Sequence, residues 1–260
     1  GAPRRLTRQT GHDEYYPTWS RDGKSIAYTT WSDADYGSVR VVSASGGEGK
    51  VITAQPGHYL EPAFSPDGKT VVYRAVTDGY LTPAIWGRNT GLFAVPSRGG
   101  ASVKINKDGL QPQFGKASDR VYFMTSDDDD KRAFKSSRLD GSDVRTHLLS
   151  EFAAEYALSP DESFVAWTER FNAYVMPFVT TGRTIDLSPK TTSLPVTKVT
   201  RDAGNYIHDY WGEGRTATYA DFPLLGRGPF GEAIRIRQET DATFRPLLFV
   251  PRARLHDSPI

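Results

Sequence analysis

The chain has no cysteine. Disulfides, cysteine-ligated zinc and a thiol nucleophile are therefore excluded, and the composition suits an oxidising compartment. It has no surplus of charge either: 32 Lys and Arg against 31 Asp and Glu leave a formal net charge of +1. Nothing in that balance draws the chain to nucleic acid or to an anionic membrane. Its apolar runs fall far short of the roughly 18 residues of a membrane helix, and residues 1–8 carry no secretory-signal pattern. Several catalytic signatures are missing as well. There is no G-x-S-x-G elbow, no G-x-x-x-x-G-K-[ST] phosphate loop, no His-x-His and no H-E-x-x-H pair.

What is present is a repeat. PAFSPDGKTVVY, residues 62–73, places Phe64 nine residues before Tyr73 across Ser-Pro-Asp-Gly-Lys. The same frame recurs with Trp19 and Tyr28, Phe114 and Phe123, Leu158 and Trp167, and Tyr210 and Tyr219. Successive anchors lie 45, 50, 44 and 52 residues apart. A period in the forties with strand-like content is that of a β-propeller, whose blades each hold four antiparallel strands. Pro17, Pro62 and Pro112 are expected at the starts of strands, where a missing N–H is tolerated. Asp-Gly at 22–23 and 67–68 supplies tight hairpin turns. SIAYTTW, TVVYRAV, RVYFMTS and FVAWTER follow, rich in β-branched and aromatic residues. A second turn recurs as SASGGE, PSRGGA and RLDGSD. The expectation is one all-β propeller domain over residues 1–260, with five blades readable and residues 221–260 poorly matched. The anchors Trp19, Phe64 and Phe114 are expected to be buried between blades.

The pattern W/F-S-x-D-G-K-x-[IV]-x-Y resembles the WD40-like repeat of TolB-type propellers over about residues 6–220. EYYPTWSRDGKSIAYTTW (14–31), with SGGE (45–48), is more narrowly similar to the propeller that precedes the catalytic domain of some bacterial amidohydrolases. The resemblance implies six blades, a periplasmic or extracellular setting and a protein or peptide partner; with no cofactor motif in the sequence, no cofactor is expected. RRLTRQ at the start then reads as the outer strand of a closing blade, which leaves no free edge.

In a four-stranded blade the tight turns share one face and the variable loops the other, where function concentrates. The residues just before the inner strands, Tyr16, Glu61, Gln111, Glu155 and Ile207, are expected to ring the channel mouth. The long loop 77–91 adds Tyr80, Trp86 and Arg88, and aromatic plus Arg is what a binding hot spot needs. His12, His58 and His208 fall on the same face. With Glu14 and Glu61 they offer metal-ligand chemistry, but no ligand-spaced pair exists and no metal is assigned. Asp33-x-Asp35 with Gly37 lacks the Glu of a calcium loop, and the acidic run 127–130 reads as a solvated hairpin tip. Three functions remain open. The first is a non-catalytic module that engages a protein or peptide through the variable-loop face. The second is the accessory propeller of a larger amidohydrolase-type hydrolase. The third is a channel-mouth enzyme on carbohydrate or peptide, with Glu61 and Glu155 as its carboxylate pair.

Overall fold

The computed structural model describes residues 4–77, 89–126, 131–169, 172–180, 182–187 and 194–200. Tyr80, Trp86, Arg88, Ile207, His208, the Tyr210 anchor, the acidic run 127–130 and the stretch 221–260 lie outside the described residues.

Among the described residues there is no helix, and the strands form four sheets. The first runs β1 (Asp13–Trp19), β2 (Ser25–Trp31), β3 (Ser38–Ser43), β4 (Lys50–Val51). The second runs β5 (His58–Phe64), β6 (Thr70–Thr77), β7 (Gly91–Pro96), β8 (Val103–Asn106). The third holds β9 (Leu110–Phe114), β10 (Arg120–Ser126), β11 (Arg132–Arg138) and β12 (Arg145–Ser150). The fourth holds β13 (Ala153–Leu158), β14 (Phe164–Glu169), β15 (Asn172–Pro177) and, beyond an excursion, β17 (Thr197–Lys198). Within each sheet the strands follow chain order, as the repeat requires. The first strands stand beside one another: β1 packs on β5, β5 on β9 and β9 on β13. These are four blades of a β-propeller with their first strands innermost.

The hairpin tips show why the Ser-x-Asp-Gly string recurs. The Ser20 hydroxyl donates to Asp22 Oδ1 at 2.7 Å and accepts the Ser25 N–H at 2.9 Å. Asp22 Oδ1 also accepts the Lys24 N–H, and Gly23 takes φ +68°. Ser65, Asp67 and Gly68 repeat the arrangement with distances within 0.1 Å and φ +70° at the glycine. In the fourth copy Ser159 and Asp161 hold the same turn, with Glu162 forced to φ +55° in the glycine's place. Local side-chain bonds to free turn N–H groups stabilise such turns.

Two of the three anchors are buried as expected, and one is not. Phe64 is 7% exposed and packs with Ala27, Val39 and Ile52 of the preceding blade. Phe114, also 7% exposed, packs with Val72, Leu92 and Ile105 of the preceding blade. Trp19 is 60% exposed. Each anchor is covered by the blade before its own, and the first blade has none before it among the described residues. The opening segment lies along the first blade's glycine turn. Thr7 bridges Gly47 in parallel. A Cβ on Gly46 would meet the Leu6 carbonyl at 2.8 Å, much as one on Gly141 would meet the Ile105 carbonyl at 2.7 Å. Leu6 thus crosses the first blade's glycine turn as Ile105, at the end of the second blade, crosses the third's.

The third blade departs from the four-strand expectation. β16 (Ile185–Asp186) pairs in parallel with β12, Leu148 opposite Ile185, and covers its outer edge. On the way there Phe178 docks against Tyr122, Phe134 and His147 at ring distances of 5.9, 6.1 and 5.3 Å. By compactness Gly1–Trp167 with Val175–Val196 form one unit, and Thr168–Tyr174 with the chain from Thr197 onward a second. In the second unit Ala173 accepts the Val199 N–H at 2.8 Å and donates its own to Thr200 Oγ1 at 3.0 Å.

Candidate functional site

The innermost strands do not begin at their prolines, as expected, but buckle there. Pro17, Pro62 and Pro112 sit inside β1, β5 and β9. Each strand slips register against its neighbour at this point. The residue before each proline is left-handed: Tyr16 at φ +51°, Glu61 at +53°, Gln111 at +52°. A proline cannot donate to the ladder, and it disfavours right-handed helical geometry in the residue before it. A bulge with one left-handed residue satisfies both constraints at a cost of roughly 1–2 kcal/mol. Such bulges re-aim side chains, and three inner strands carry the same strained residue at the same position.

The re-aimed residues have different surroundings. Glu61 Oε1 lies 3.7 Å from the Arg74 guanidinium, and Oε2 accepts the Gln111 N–H at 2.7 Å. Its carboxylate therefore ties the second blade to the third. Gln111 presents a buried Oε1 without a hydrogen-bond partner. Tyr16 is open, 47% exposed beside Tyr15 at 46%. Glu155 breaks the series. Tyr156 follows it instead of proline, it is not left-handed, and its side chain is exposed. The expected equivalence of Glu155 with the other three does not hold in backbone geometry, because the proline that imposes the bulge is missing. Glu61, for its part, is already engaged with Arg74 and Gln111. Further down, the Gln113 amide bridges β9 to β13, donating to Tyr156 O at 2.7 Å and accepting the Leu158 N–H at 2.6 Å.

Tyr16 and His58 meet at one place. A cleft of about 280 Å³ lies between the first two blades, walled by Tyr15, Tyr16, Trp31, His58, Tyr59 and Leu60. The His58 ring lies 5.3 Å from the Trp31 indole, and Tyr36 meets the same indole edge-on at 5.8 Å. Burial, reinforced by the nearby Arg74 charge, pushes the His58 pKa down. Partial burial and the neighbouring Asp13 carboxylate push the Tyr15 phenol up. Asp33 accepts the Trp31 indole N–H at 3.1 Å. Tyr15, Trp31 and Tyr59 do not stand out in the repeat. Tyr15 alone carries a signal, the doubled aromatic before Pro17.

His12 belongs elsewhere. It lines a separate recess with Asp35, whose carboxylate is 3.7 Å from Nε2. Among the described residues no group of three His, Cys, Asp or Glu is placed to hold a metal, so His12, His58, Glu14 and Glu61 do not converge.

No family model matches the chain. Residues of the chain are 39% identical over 77 positions to the Tol-Pal system protein TolB of Francisella tularensis subsp. mediasiatica, covering 29% of this chain and 17% of that protein. They are 32% identical over 56 positions to the uncharacterized peptidase YuxL of Bacillus subtilis, 22% of this chain and 8% of that one. The chain thus spans under a fifth of the curated relatives it matches. Among solved structures, TolB from Acinetobacter baumannii superposes with a TM-score of 0.55 at 18% identity, over 73% of this chain and 44% of that one. An oligogalacturonate lyase from Vibrio parahaemolyticus superposes with a TM-score of 0.58 at 10% identity, over 78% and 58%. At these identities the structural likeness speaks for the fold.

Proposed function

We propose that this chain, a TolB-like β-propeller, is a binding module that engages a protein or peptide partner through the rim formed by its buckled inner strands. The observation that carries this reading is the exposed Tyr15–Tyr16 pair beside an open aromatic cleft, next to the fixed Glu61–Arg74 pair. Aromatic anchors bordering a pocket are what protein interfaces concentrate their binding energy in. The likeness to a protein named for the Tol-Pal system supports a partner protein, and the periplasm as its compartment.

The test is site-specific crosslinking. A photoreactive phenylalanine at Tyr16 is expected to give a defined adduct in extracts of the source organism. The same residue at Val144, which is exposed on a turn of the third blade, is expected to give none. No adduct at Tyr16, or the same adduct at both positions, would overturn the reading.

A second reading is the accessory propeller of a larger amidohydrolase-type hydrolase; that the matched stretch is only 8% of a protein named a peptidase supports the larger hydrolase, not its type. Metal-dependent hydrolysis by these 260 residues alone would count against it.

A further inference from the structure

Resting on the reading of the rim as a partner surface, we infer that the cleft between β1, β2 and β5 receives a cationic side chain, lysine or arginine, from that partner. Size is the first argument. Small-molecule sites run to roughly 300–1,000 Å³, and this cleft holds about 280 Å³. That lies just below this range and admits one long side chain from a partner. The walls are the second. Tyr15, Tyr16 and Trp31 line the space, and aromatic faces attract an ammonium or guanidinium held within roughly 6 Å of the ring centre.

Charge decides between a cationic and an apolar occupant. Asp13 is paired with Trp31 across the β1–β2 ladder, and Asp33 sits on the Trp31 indole N–H. Two carboxylates therefore flank the aromatic wall. Among the described residues the cations nearby do not cancel them. Arg74 is matched by Glu61, and His12 faces Asp35 in the neighbouring recess. His58, which borders the cleft, is held toward its neutral form by burial and by Arg74. An apolar side chain would gain from the rings but nothing from Asp13 and Asp33. An acidic one would be repelled by both.

The experiment uses the whole chain and two synthetic peptides, acetyl-Gly-Ser-Lys-Ser-Gly-amide and its norleucine counterpart, titrated by NMR at constant ionic strength. The lysine peptide is expected to bind at least tenfold more tightly than the norleucine peptide. Asp13→Asn and Tyr15→Ala are each expected to weaken it at least fivefold, with the unfolding midpoint unchanged. Equal affinity for both peptides, or binding indifferent to both substitutions, would overturn the inference while leaving the rim as a partner surface intact. Undetectable binding of the lysine peptide would also overturn it. Loss of the Tyr16 crosslinked adduct is a separate outcome and bears on the rim itself.

Discussion

His147 should make the third blade acid-sensitive. The side chain is 8% exposed in β12, boxed in by Tyr122 at 5.5 Å and Phe178 at 5.3 Å between ring centres. Its Nε2 lies 2.8 Å from the Ser136 hydroxyl, and that oxygen accepts Arg120 Nη1 at 2.8 Å. Ser136 is thus set to donate its proton to Nε2, which requires the neutral imidazole. Protonation would face an N–H toward a hydroxyl already receiving a guanidinium. Burial first, then the charges of Arg120 and Arg145, lower the pKa from 6.5 to about 4. The unfolded chain therefore binds more protons than the folded one between these values. Stability conferred by the neutral ring is complete above pH 6.5 and is lost as the pH falls toward about 4. At about 1.4 kcal/mol per unit the full loss is about 3 kcal/mol, of which about 2 kcal/mol has gone by pH 5. The assay is urea unfolding at pH 7.5 and 5 for the wild type and for His147→Gln, which has an amide that can accept the Ser136 proton but does not titrate. The wild type should lose about 2 kcal/mol more than the variant. Other histidines cancel in that difference. Asp22, Asp67, Asp140, Asp143 and Asp161 all have pKa values pushed below 3.8 and stay ionised at pH 5. Equal losses would refute the assignment of His147 as a buried neutral acceptor.

Three further outcomes follow from the packing. Phe64→Ala should cost about 3–5 kcal/mol in urea unfolding, whereas Trp19→Ala, in the same repeat position but exposed, should cost under about 1 kcal/mol; similar costs would remove the rule that each anchor is covered by the preceding blade. Gly91→Ala should lower the thermal midpoint sharply, because Gly91 holds φ +119° and a Cβ would run into the Asn106 carbonyl and the Lys107 Cα; an unchanged midpoint would mean that the β7 entry is not as drawn. The Ser65 hydroxyl, and then the Lys69 N–H, hold Asp67 below its ordinary 3.8, so its contribution is present above that value and lost as the pH falls through the lowered pKa. Between pH 4 and 2 the wild type should therefore destabilise more steeply than Asp67→Asn, and parallel acid limbs would deny the turn its role.

What could be read from the sequence divides along the range of the forces involved. The hairpin tips were legible because Ser20, Asp22 and Gly23 satisfy one another within five residues, and so were the strands that follow them. Trp19 was not, since nothing in its own repeat distinguishes it from Phe64; it is exposed because no preceding blade covers it among the described residues. β16 was not legible either. A two-residue strand carries no periodicity, and its choice of the β12 edge is made by the docking of Phe178 on another blade. The site lies between these cases. Aligning the repeats brings Tyr16, Glu61 and Gln111 to one position, but it includes Glu155 and misplaces the prolines as strand starts. The structure turns that misreading into a rule. A proline inside an inner strand withholds a ladder N–H, the strand buckles, and the residue before it turns left-handed. Where tyrosine replaces proline, as at Tyr156, the preceding residue stays out of the left-handed region. The dipeptide X-Pro, not the alignment column, therefore identifies which rim residues are re-aimed. By that rule Glu155→Gly with Tyr156→Pro should give the fourth blade a bulge of its own, whereas Pro62→Ala should relax the one that holds Glu61 against Gln111.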